Sequence, residues 1–268
     1  MRSVFLPYKQ SQIHYLVFGR GEIPAICFHG YGEQSDSFSF LEHEAGHQYT
    51  FYAIDLPFHG QTEWNEGLVF HPDDLLAIVQ RIIPSTYSRP ALIGYSLGGR
   101  MALSLYEQWG GLPARLLLLA PDGLKVNFWY RLATQNSLGR HLFHFTMQHP
   151  GWFFMLLKWL NQLKLVNTSI FKFVNHYIGD ENVRQALYER WITLRKVQPN
   201  LPLIKRLLIQ KNTRCFLLYG MHDRIILPVR GEKFRKGMEA NCSISLIHSG
   251  HQVLNAKHIH EILPALLD

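Results

Sequence analysis

Residues 90–101 read PALIGYSLGGRM, and the interpretation of the whole chain starts from this stretch. It contains the pattern G-x-S-x-G centred on Ser96. The apolar residues 91–93 predict a buried strand before the pattern, and the apolar spacing in 101–106 predicts a helix after it. A G-x-S-x-G turn between a strand and a helix exposes its serine as a nucleophile. We therefore predict that Ser96 sits at a sharp turn and reacts with a substrate.

A serine hydroxyl is a poor nucleophile until a base accepts its proton, and an acid must orient that base. His251 follows a strand predicted at 243–247, and Asp223 follows one predicted at 214–219. Loops at the carboxyl ends of parallel strands meet at one edge of a sheet. The chain order Ser, Asp, His is also the order that accompanies this type of turn. We therefore expect Ser96, Asp223 and His251 to converge.

Acyl transfer also needs two backbone N–H groups that stabilise a negatively charged oxygen. The residue directly after the nucleophile, Leu97, is the first candidate. The second is Tyr31, in the glycine-rich loop that follows a strand predicted at 24–28. Both N–H groups would face the oxygen from loops at the same sheet edge.

Predicted strands and helices alternate through residues 1–121 and again through residues 207–268. This alternation predicts an α/β fold with a mostly parallel central sheet and helices on both of its faces. Residues 122–206 contain only helical patterns. We predict a core of 1–121 and 207–268 with a helical cap, 122–206, inserted into it.

Positive charge is concentrated in that predicted cap. The 268 residues have a formal net charge of +7, and residues 122–206 alone have +8 from twelve Lys or Arg and four Asp or Glu. A local excess of this kind attracts anions. We expect a small-molecule acyl substrate as partner; the basic residues either attract an anionic or carrier-bound substrate or are simply solvated. No nucleic-acid-binding motif accompanies the charge, so we expect no nucleic-acid partner.

The chain shows no secretion signal and no apolar run of membrane-spanning length, which favours a cytoplasmic protein without a transmembrane segment. Its three cysteines are predicted to be free, buried thiols.

The stretch 152–160 is apolar almost all round, so we expect a helix packed between cap and core. Part of it, with Trp152 and Trp159, would line the substrate pocket together with Tyr95, next to the nucleophile. Contact of this helix with a membrane surface is a further interpretation.

One stretch matches a different signature. Residues 43–47 read HEAGH, which fits the zinc-protease pattern H-E-x-x-H. That pattern needs both histidines on one continuous helix, but Gly46 interrupts it and a strand is predicted at 49–54. We therefore expect no metal site there.

Taken together, the motifs resemble the α/β-hydrolase superfamily in its capped branch. The residues that carry the resemblance are His29-Gly30-Tyr31, Asp55-Leu56-Pro57-Phe58-His59-Gly60, the serine turn, Gly220-x-x-Asp223 with Pro228, and Gly250-His251. The resemblance implies a serine hydrolase that cleaves a carboxylic ester or a similar acyl compound and needs no cofactor. The alternatives are a carbon–carbon bond hydrolase or lyase of the same superfamily, or a non-catalytic binding protein with this fold.

Two positions, Asp122 and Phe58, bear on that resemblance. Some superfamily members carry their acid after the preceding strand, where Asp122 lies, but the Gly-x-x-Asp pattern favours Asp223. Phe58 stands where relatives usually have glycine, which is expected to alter the loop beside His59 without touching Ser96 or its partners.

Overall fold

The computed structural model describes residues 1–83, 89–162 and 178–267. The chain divides into two compact units. The core unit comprises Met1–Glu66, Phe70–Lys125 and Lys196–Asp268, and the helical unit comprises Gly67–Val69 and Val126–Arg195.

The strands all belong to the core unit. Their bounds are β1 Arg2–Tyr8, β2 Ser11–Gly19, β3 Ile23–Phe28, β4 Tyr49–Ile54, β5 Ala91–Tyr95, β6 Arg115–Leu119, β7 Arg214–Gly220 and β8 Cys242–Ile247. The helices of this unit are α1 Leu41–Ala45, α2 Pro72–Ile82, α3 Leu97–Gln108, α8 Leu201–Gln210, α9 Val229–Arg235 and α10 Ile259–Leu267. The helical unit contains α4 Phe128–Thr134, α5 Ser137–Gln148, α6 Gly151–Gln162 and α7 Glu181–Thr193.

Within the described residues the strands form one eight-stranded sheet in the order β1-β2-β4-β3-β5-β6-β7-β8. The strands β1 and β2 are antiparallel to their neighbours, whereas every pair from β4–β3 to β7–β8 is parallel. The predicted α/β class with a mostly parallel sheet is therefore confirmed. Because these strands are parallel, the loops that follow β3, β5, β7 and β8 lie along one edge of the sheet.

Two elements differ from the sequence prediction. The edge strand β1 was not predicted, because Pro7 and several exposed residues leave it without a clear apolar pattern. Within this strand Val4 and Leu6 are partly buried, Tyr8 is buried, and the other residues are exposed. Proline is tolerated on an edge strand because one side of the strand needs no hydrogen-bond donors. The apolar spacing in 252–266 predicts a terminal helix over that range, but α10 begins only at Ile259, after a short 3₁₀ helix.

The helical unit also has different bounds from the predicted insertion at 122–206. It ends at Arg195, and α8 belongs to the core unit. This assignment follows from burial, because Ile204 and Leu208 of α8 are fully buried and α8 packs against α3. The apolar face of α8 therefore serves the core.

Aromatic rings build the interior of the helical unit. The ring centroids of Phe143 and Trp191 are 5.7 Å apart, and those of Tyr130 and Trp191 are 5.3 Å apart. Helix α6 behaves differently from the expectation of a packed helix, because Leu157 is its one fully buried residue and Met155 is 70% exposed. No helix in the described parts of the chain is long and apolar enough to cross a membrane.

The core unit buries its three cysteines, Cys27, Cys215 and Cys242, as free thiols, as predicted. Burial raises the pKa of the Cys27 thiol well above its ordinary value. A thiol that stays protonated is a poor nucleophile and a poor metal ligand. Cys27 is therefore a small apolar filler within the sheet.

A buried carboxylate joins the end of β1 to the start of α2. The Asp74 carboxylate accepts hydrogen bonds from the Tyr8 hydroxyl at 2.7 Å, from the Lys9 ammonium at 2.6 Å and from the His71 backbone N–H at 3.0 Å. Burial by itself raises the pKa of Asp74, but the bonds from Lys9, Tyr8 and His71 outweigh burial and lower the pKa.

We predict that Asp74→Asn lowers the free energy of unfolding at pH 7 by about 1–3 kcal/mol, because hydrogen bonds to an ionised group are lost. Since the folded-state pKa lies below the unfolded value of about 4, this contribution is complete above that value. It disappears as the pH falls through the folded-state pKa. Denaturant unfolding of both proteins across this pH range measures the difference.

The matched control is Asp73→Asn, which removes the same charge from an exposed position on the same helix turn. It should change stability little at any pH. A loss for Asp74→Asn that is equally large at low and neutral pH would contradict the role of its ionised form.

Candidate active site

Ser96 lies between β5 and α3 in a backbone conformation that residues with a side chain rarely adopt. Its φ is 50° and its ψ is −114°. Three backbone hydrogen bonds hold it: its N–H donates to the Leu119 carbonyl at 2.9 Å, and its carbonyl accepts from the N–H groups of Gly99 and Asp122. Strain of this kind concentrates at functional sites. The side chain of Ser96 is half-buried, whereas the other residues from 91 to 100 are buried.

Glycine is required around this turn because backbone segments meet there. A Cβ on Gly98 would lie 1.8 Å from the Phe28 carbonyl oxygen, and a Cβ on Gly94 would lie 2.4 Å from the Gly98 carbonyl oxygen. Phe28 is the last residue of β3. The first turn of α3 therefore touches the strand end from which the Tyr31 loop departs.

Ser96, His251 and Asp223 form a continuous chain of hydrogen bonds. The Ser96 Oγ lies 2.9 Å from His251 Nε2, and His251 Nδ1 lies 2.8 Å from Asp223 Oδ2. An ionised carboxylate only accepts hydrogen bonds, so Nδ1 carries the proton and Nε2 can accept one from the serine hydroxyl. The structure thus brings these three predicted residues together.

The carboxylate at the end of this chain is held firmly. Asp223 is 4% exposed, and its Oδ1 accepts hydrogen bonds from the backbone N–H groups of Ile225 at 2.7 Å and Ile226 at 2.9 Å. These bonds use the lone pairs that do not face the histidine. Asp223 is therefore oriented by its own loop before any substrate is present.

The alternative acid, Asp122, has other partners. Its Oδ2 lies 3.2 Å from the Arg100 Nε in an ion pair, and its Oδ1 accepts a hydrogen bond from the Gly123 N–H. Its backbone N–H supports Ser96, as described above. Asp122 thus belongs to the scaffold of the turn, while the His251 ring contacts Asp223.

The two predicted oxyanion donors come from different segments. Leu97 is the first residue of α3, and the first N–H groups of a helix have no acceptor within it. Tyr31 lies in the loop after β3, where the His29 Nδ1–H donates to the Gly30 carbonyl at 2.8 Å. The His29 Nε2 accepts a hydrogen bond from the Leu56 N–H at 3.1 Å. His29 therefore braces the Tyr31 loop against the loop that follows β4.

A second brace between these loops was not recognised in the sequence. Asp55 is 1% exposed, and its carboxylate accepts hydrogen bonds from the Ser35 N–H at 2.6 Å, the Gln61 N–H at 2.8 Å and the His14 Nδ1–H at 2.7 Å. Asp55 belongs to a motif that carries the family resemblance. The sequence alone does not show that its carboxylate is buried or which three groups donate hydrogen bonds to it.

The unusual Phe58 occupies a strained position in the same loop. Its φ is 62°, in the left-handed region that glycine adopts without cost. This conformation explains why a glycine would suit the position. The neighbouring His59 donates from Nδ1 to the Pro57 carbonyl at 2.9 Å, and its ring centroid lies 5.9 Å from that of Tyr31.

Tyr95 was predicted to line the substrate pocket, but it is 1% exposed and supports the histidine loop instead. Its hydroxyl donates to the His251 carbonyl at 3.2 Å and approaches Gln252 Oε1 at 3.1 Å. Burial, together with the nearby carboxylates of Glu33 and Asp223, raises the pKa of Tyr95. The hydroxyl therefore remains a donor. A side chain this deeply buried does not line an open pocket.

Glu33 is a second carboxyl group beside His251, and no sequence pattern predicted it. Burial raises its pKa, and this effect outweighs the Gly30 backbone N–H, the Gln252 side chain and the charge of His251, which lower it. Its Oε2 is buried without a hydrogen-bond partner among the described residues. Ionisation of the Glu33 carboxyl, between the Tyr31 loop and the His251 loop, therefore opposes folding.

The tryptophans predicted to line the pocket both lie on α6 of the helical unit. Trp159 is 57% exposed, and Trp152 is half-buried with a buried Nε1. Their role in binding substrate remains a prediction.

Four further histidines form no part of this hydrogen-bond chain. His222 and His248 contact each other, with their Nε2 atoms 3.3 Å apart. Helix α1 ends at Ala45, so His43 and His47 do not share a continuous helix. In the described parts of the chain, no group of three metal-ligating side chains is gathered.

We predict that Gly98→Ala lowers the free energy of unfolding by about 3 kcal/mol or more, because the added methyl group overlaps the β3 backbone and the packing cannot relax around it. Thermal unfolding measures the effect. Gly151→Ala is the matched control, because no atom lies within 4 Å of its new methyl group. Equal melting temperatures for the two variants would show that the close approach at Gly98 is not required.

We predict that Glu33→Gln stabilises the protein at neutral pH. Because the folded-state pKa of Glu33 is raised, ionisation opposes folding, and this cost is complete above the folded-state pKa. The cost vanishes below the unfolded value of about 4.3. The gain in melting temperature should therefore be larger at pH 7 than at pH 4.

Glu22→Gln is the control for this experiment, since it removes a carboxylate from an exposed position. It should give no pH-dependent gain. The burial cost would be contradicted if Glu33→Gln did not raise the melting temperature at pH 7, or raised it equally at pH 4 and pH 7.

Comparison with known proteins places this geometry in context. The model of the alpha/beta hydrolase family matches residues 25–265. YugF, an uncharacterized hydrolase of Bacillus subtilis (strain 168), is 24% identical over 247 residues, which cover 90% of this chain and 86% of YugF.

Solved structures share the fold. An esterase from Thermogutta terrifontis superimposes with a TM-score of 0.66 at 17% identity over 100% of both chains. A carboxylesterase of the thaumarchaeon Nitrososphaera gargenis gives 0.67 at 15% identity over 98% of this chain and 97% of that one. Because the family match covers most of the chain, from within β3 to α10, and includes the loops that carry Ser96, Asp223 and His251, the chain belongs to the alpha/beta hydrolase family.

Proposed function

We propose that the protein is a serine hydrolase that cleaves a carboxylic ester or a similar acyl compound through an acyl-enzyme. The observation that carries this proposal is the unbroken hydrogen-bond chain from the Ser96 Oγ through the His251 ring to the Asp223 carboxylate. Two backbone N–H groups hold the other oxygen of Asp223, which supports its proposed role of orienting the His251 ring.

The reaction begins with attack of the Ser96 Oγ on the substrate carbonyl carbon. His251 Nε2 accepts the serine proton as the new C–O bond forms, which is general-base catalysis. Asp223 keeps Nδ1 protonated and stabilises the imidazolium that results. The distances of 2.9 Å and 2.8 Å permit this transfer without movement of either ring or carboxylate.

The negative charge that develops on the carbonyl oxygen needs donors. In this proposal the backbone N–H groups of Leu97 and Tyr31 supply them. The Leu97 N–H benefits from the positive end of α3. The Tyr31 loop is braced by His29, which limits the reorganisation needed during the reaction.

Collapse of the tetrahedral intermediate expels the leaving group, which takes the proton from His251. Water then attacks the acyl-enzyme, with His251 again as base, and restores the Ser96 hydroxyl. These steps balance without a cofactor. The esterase and carboxylesterase neighbours support an ester as substrate, although their likeness to this chain concerns the fold.

We predict that Ser96→Ala and Asp223→Asn each lower kcat for p-nitrophenyl esters by about 10³-fold or more, because the nucleophile or the correct histidine tautomer is lost. The rates are measured over a series of acyl lengths. A fluorophosphonate probe should label the wild type and the Asp223→Asn variant at Ser96, the latter slowly, and should not label Ser96→Ala.

Asp122→Asn is the matched control for the acid, because it removes an aspartate on a neighbouring loop that pairs with Arg100. It should retain most of the activity. Loss of activity in Asp122→Asn with retention in Asp223→Asn would reverse the assignment of the acid.

Labelling at Ser96 without turnover of any ester would refute the ester substrate while keeping the nucleophile. Product analysis with a diketone would then test cleavage of a carbon–carbon bond. Absence of labelling would refute a reactive serine altogether and leave a binding protein with this fold.

A further inference from the structure

The helical unit contains a groove of about 340 Å³ between α5 and α7. Six of the residues that line it are Arg140, His141, His144, Tyr188, Ile192 and Arg195. All of them belong to the helical unit, and none takes part in the proposed hydrolysis. A volume of this size accommodates a small organic molecule.

Helical spacing brings these side chains to one place. On α5, Arg140 and His144 are four residues apart, so they share a face. On α7, Tyr188 and Ile192 are likewise four residues apart, and Arg195 follows three residues later in the 3₁₀ turn that continues the helix. The two faces confront each other across the groove.

Packing holds the groove open in a defined shape. The ring centroid of Phe143 lies 5.5 Å from that of Tyr188, and the His144 ring lies 5.2 Å from the same tyrosine. Arg195 donates hydrogen bonds to the carbonyls of Leu68 and Ile192. The Arg195 guanidinium is therefore already positioned at the groove.

The electrostatics of the groove favour an anion. Burial lowers the pKa of Arg195, and the positive charge of Arg140 lowers it further. Two guanidinium groups so close together repel each other. Among the described residues no carboxylate lies within ion-pair distance of Arg140. The repulsion between the Arg140 and Arg195 guanidinium groups is therefore not offset by a negative charge next to Arg140.

Further groups accompany the two arginines. The His141 Nδ1–H already donates to the Ser137 carbonyl at 2.8 Å, so this hydrogen is not a donor to the anion. Tyr188 offers a hydroxyl, while Leu68 and Ile192 offer apolar surface. Guanidinium groups bind the paired oxygens of phosphate and carboxylate with two parallel hydrogen bonds.

We propose that this groove is a binding site for a small organic oxyanion, that is, a phosphate monoester or a carboxylate with an apolar portion. Arg140 and Arg195 hold the anionic group, and Tyr188, Leu68 and Ile192 contact the apolar portion. The proposal does not depend on the hydrolytic function, because the groove residues would bind the anion whether or not Ser96 reacts.

The test is isothermal titration calorimetry of the full chain with phenyl phosphate, benzoate and neutral benzyl alcohol. We expect saturable binding with one site per chain for at least one of the two anions and none for benzyl alcohol. Tighter binding of phenyl phosphate assigns the site to phosphoryl groups, and tighter binding of benzoate assigns it to carboxylates. Absence of saturable binding for both anions would overturn the proposal.

Variants connect the binding to the groove. Arg140→Gln should raise Kd by about tenfold or more, because charged hydrogen bonds are lost. Arg140→Lys keeps the charge without the paired donors and should give an intermediate Kd. Circular dichroism and thermal unfolding check that both variants fold, as expected for a side chain that makes no hydrogen bond to the described residues.

The matched control is Arg131→Gln, which removes the same charge from an exposed position on α4 outside the groove. Its Kd should stay within about twofold of the wild type. Equal losses for Arg140→Gln and Arg131→Gln would show that the anion responds only to the overall charge of the unit, and the groove would not be a site.

Discussion

The left-handed backbone at Ser96 is the constraint on which the rest of the site depends. It is tolerated because Gly98 has no side chain, which lets α3 begin against the carbonyl of Phe28 at the end of β3. The same contact brings the serine turn and the Tyr31 loop together, so the proposed nucleophile and the proposed oxyanion donors share one junction. Hydrogen bonds from Gly99 and Asp122 to the Ser96 carbonyl oppose relaxation of the strain.

Buried carboxylates organise the loops around this junction in different ways. Asp55 and Asp223 each accept several hydrogen bonds and hold their loops in place. Glu33 is less well satisfied, and burial raises its pKa. Ionisation of a buried carboxyl next to the His251 ring opposes folding, so Glu33 lowers stability at neutral pH.

The sequence predicted the α/β class and the convergence of Ser96, Asp223 and His251, because parallel strands place their following loops at one edge. It did not reveal Glu33, whose position follows from how two loops pack. It also did not reveal that the Tyr95 side chain is buried, because the pattern of a short apolar strand does not determine which side of the sheet a residue faces. The edge strand β1 and the late start of α10 were missed because their local patterns are weak. The helix at 152–160 was expected to be packed, but exposure depends on neighbours that periodicity does not identify.

The connection between β6 and β7 has a consequence for variation within this architecture. These strands are hydrogen-bonded neighbours, with Leu118 opposite Leu217, yet the chain between them includes Val126–Arg195. A segment that leaves and re-enters the sheet at adjacent strands can change in length or composition without shifting the register of either strand. The inserted helices can therefore diversify while the distances among the serine, histidine and aspartate stay constant.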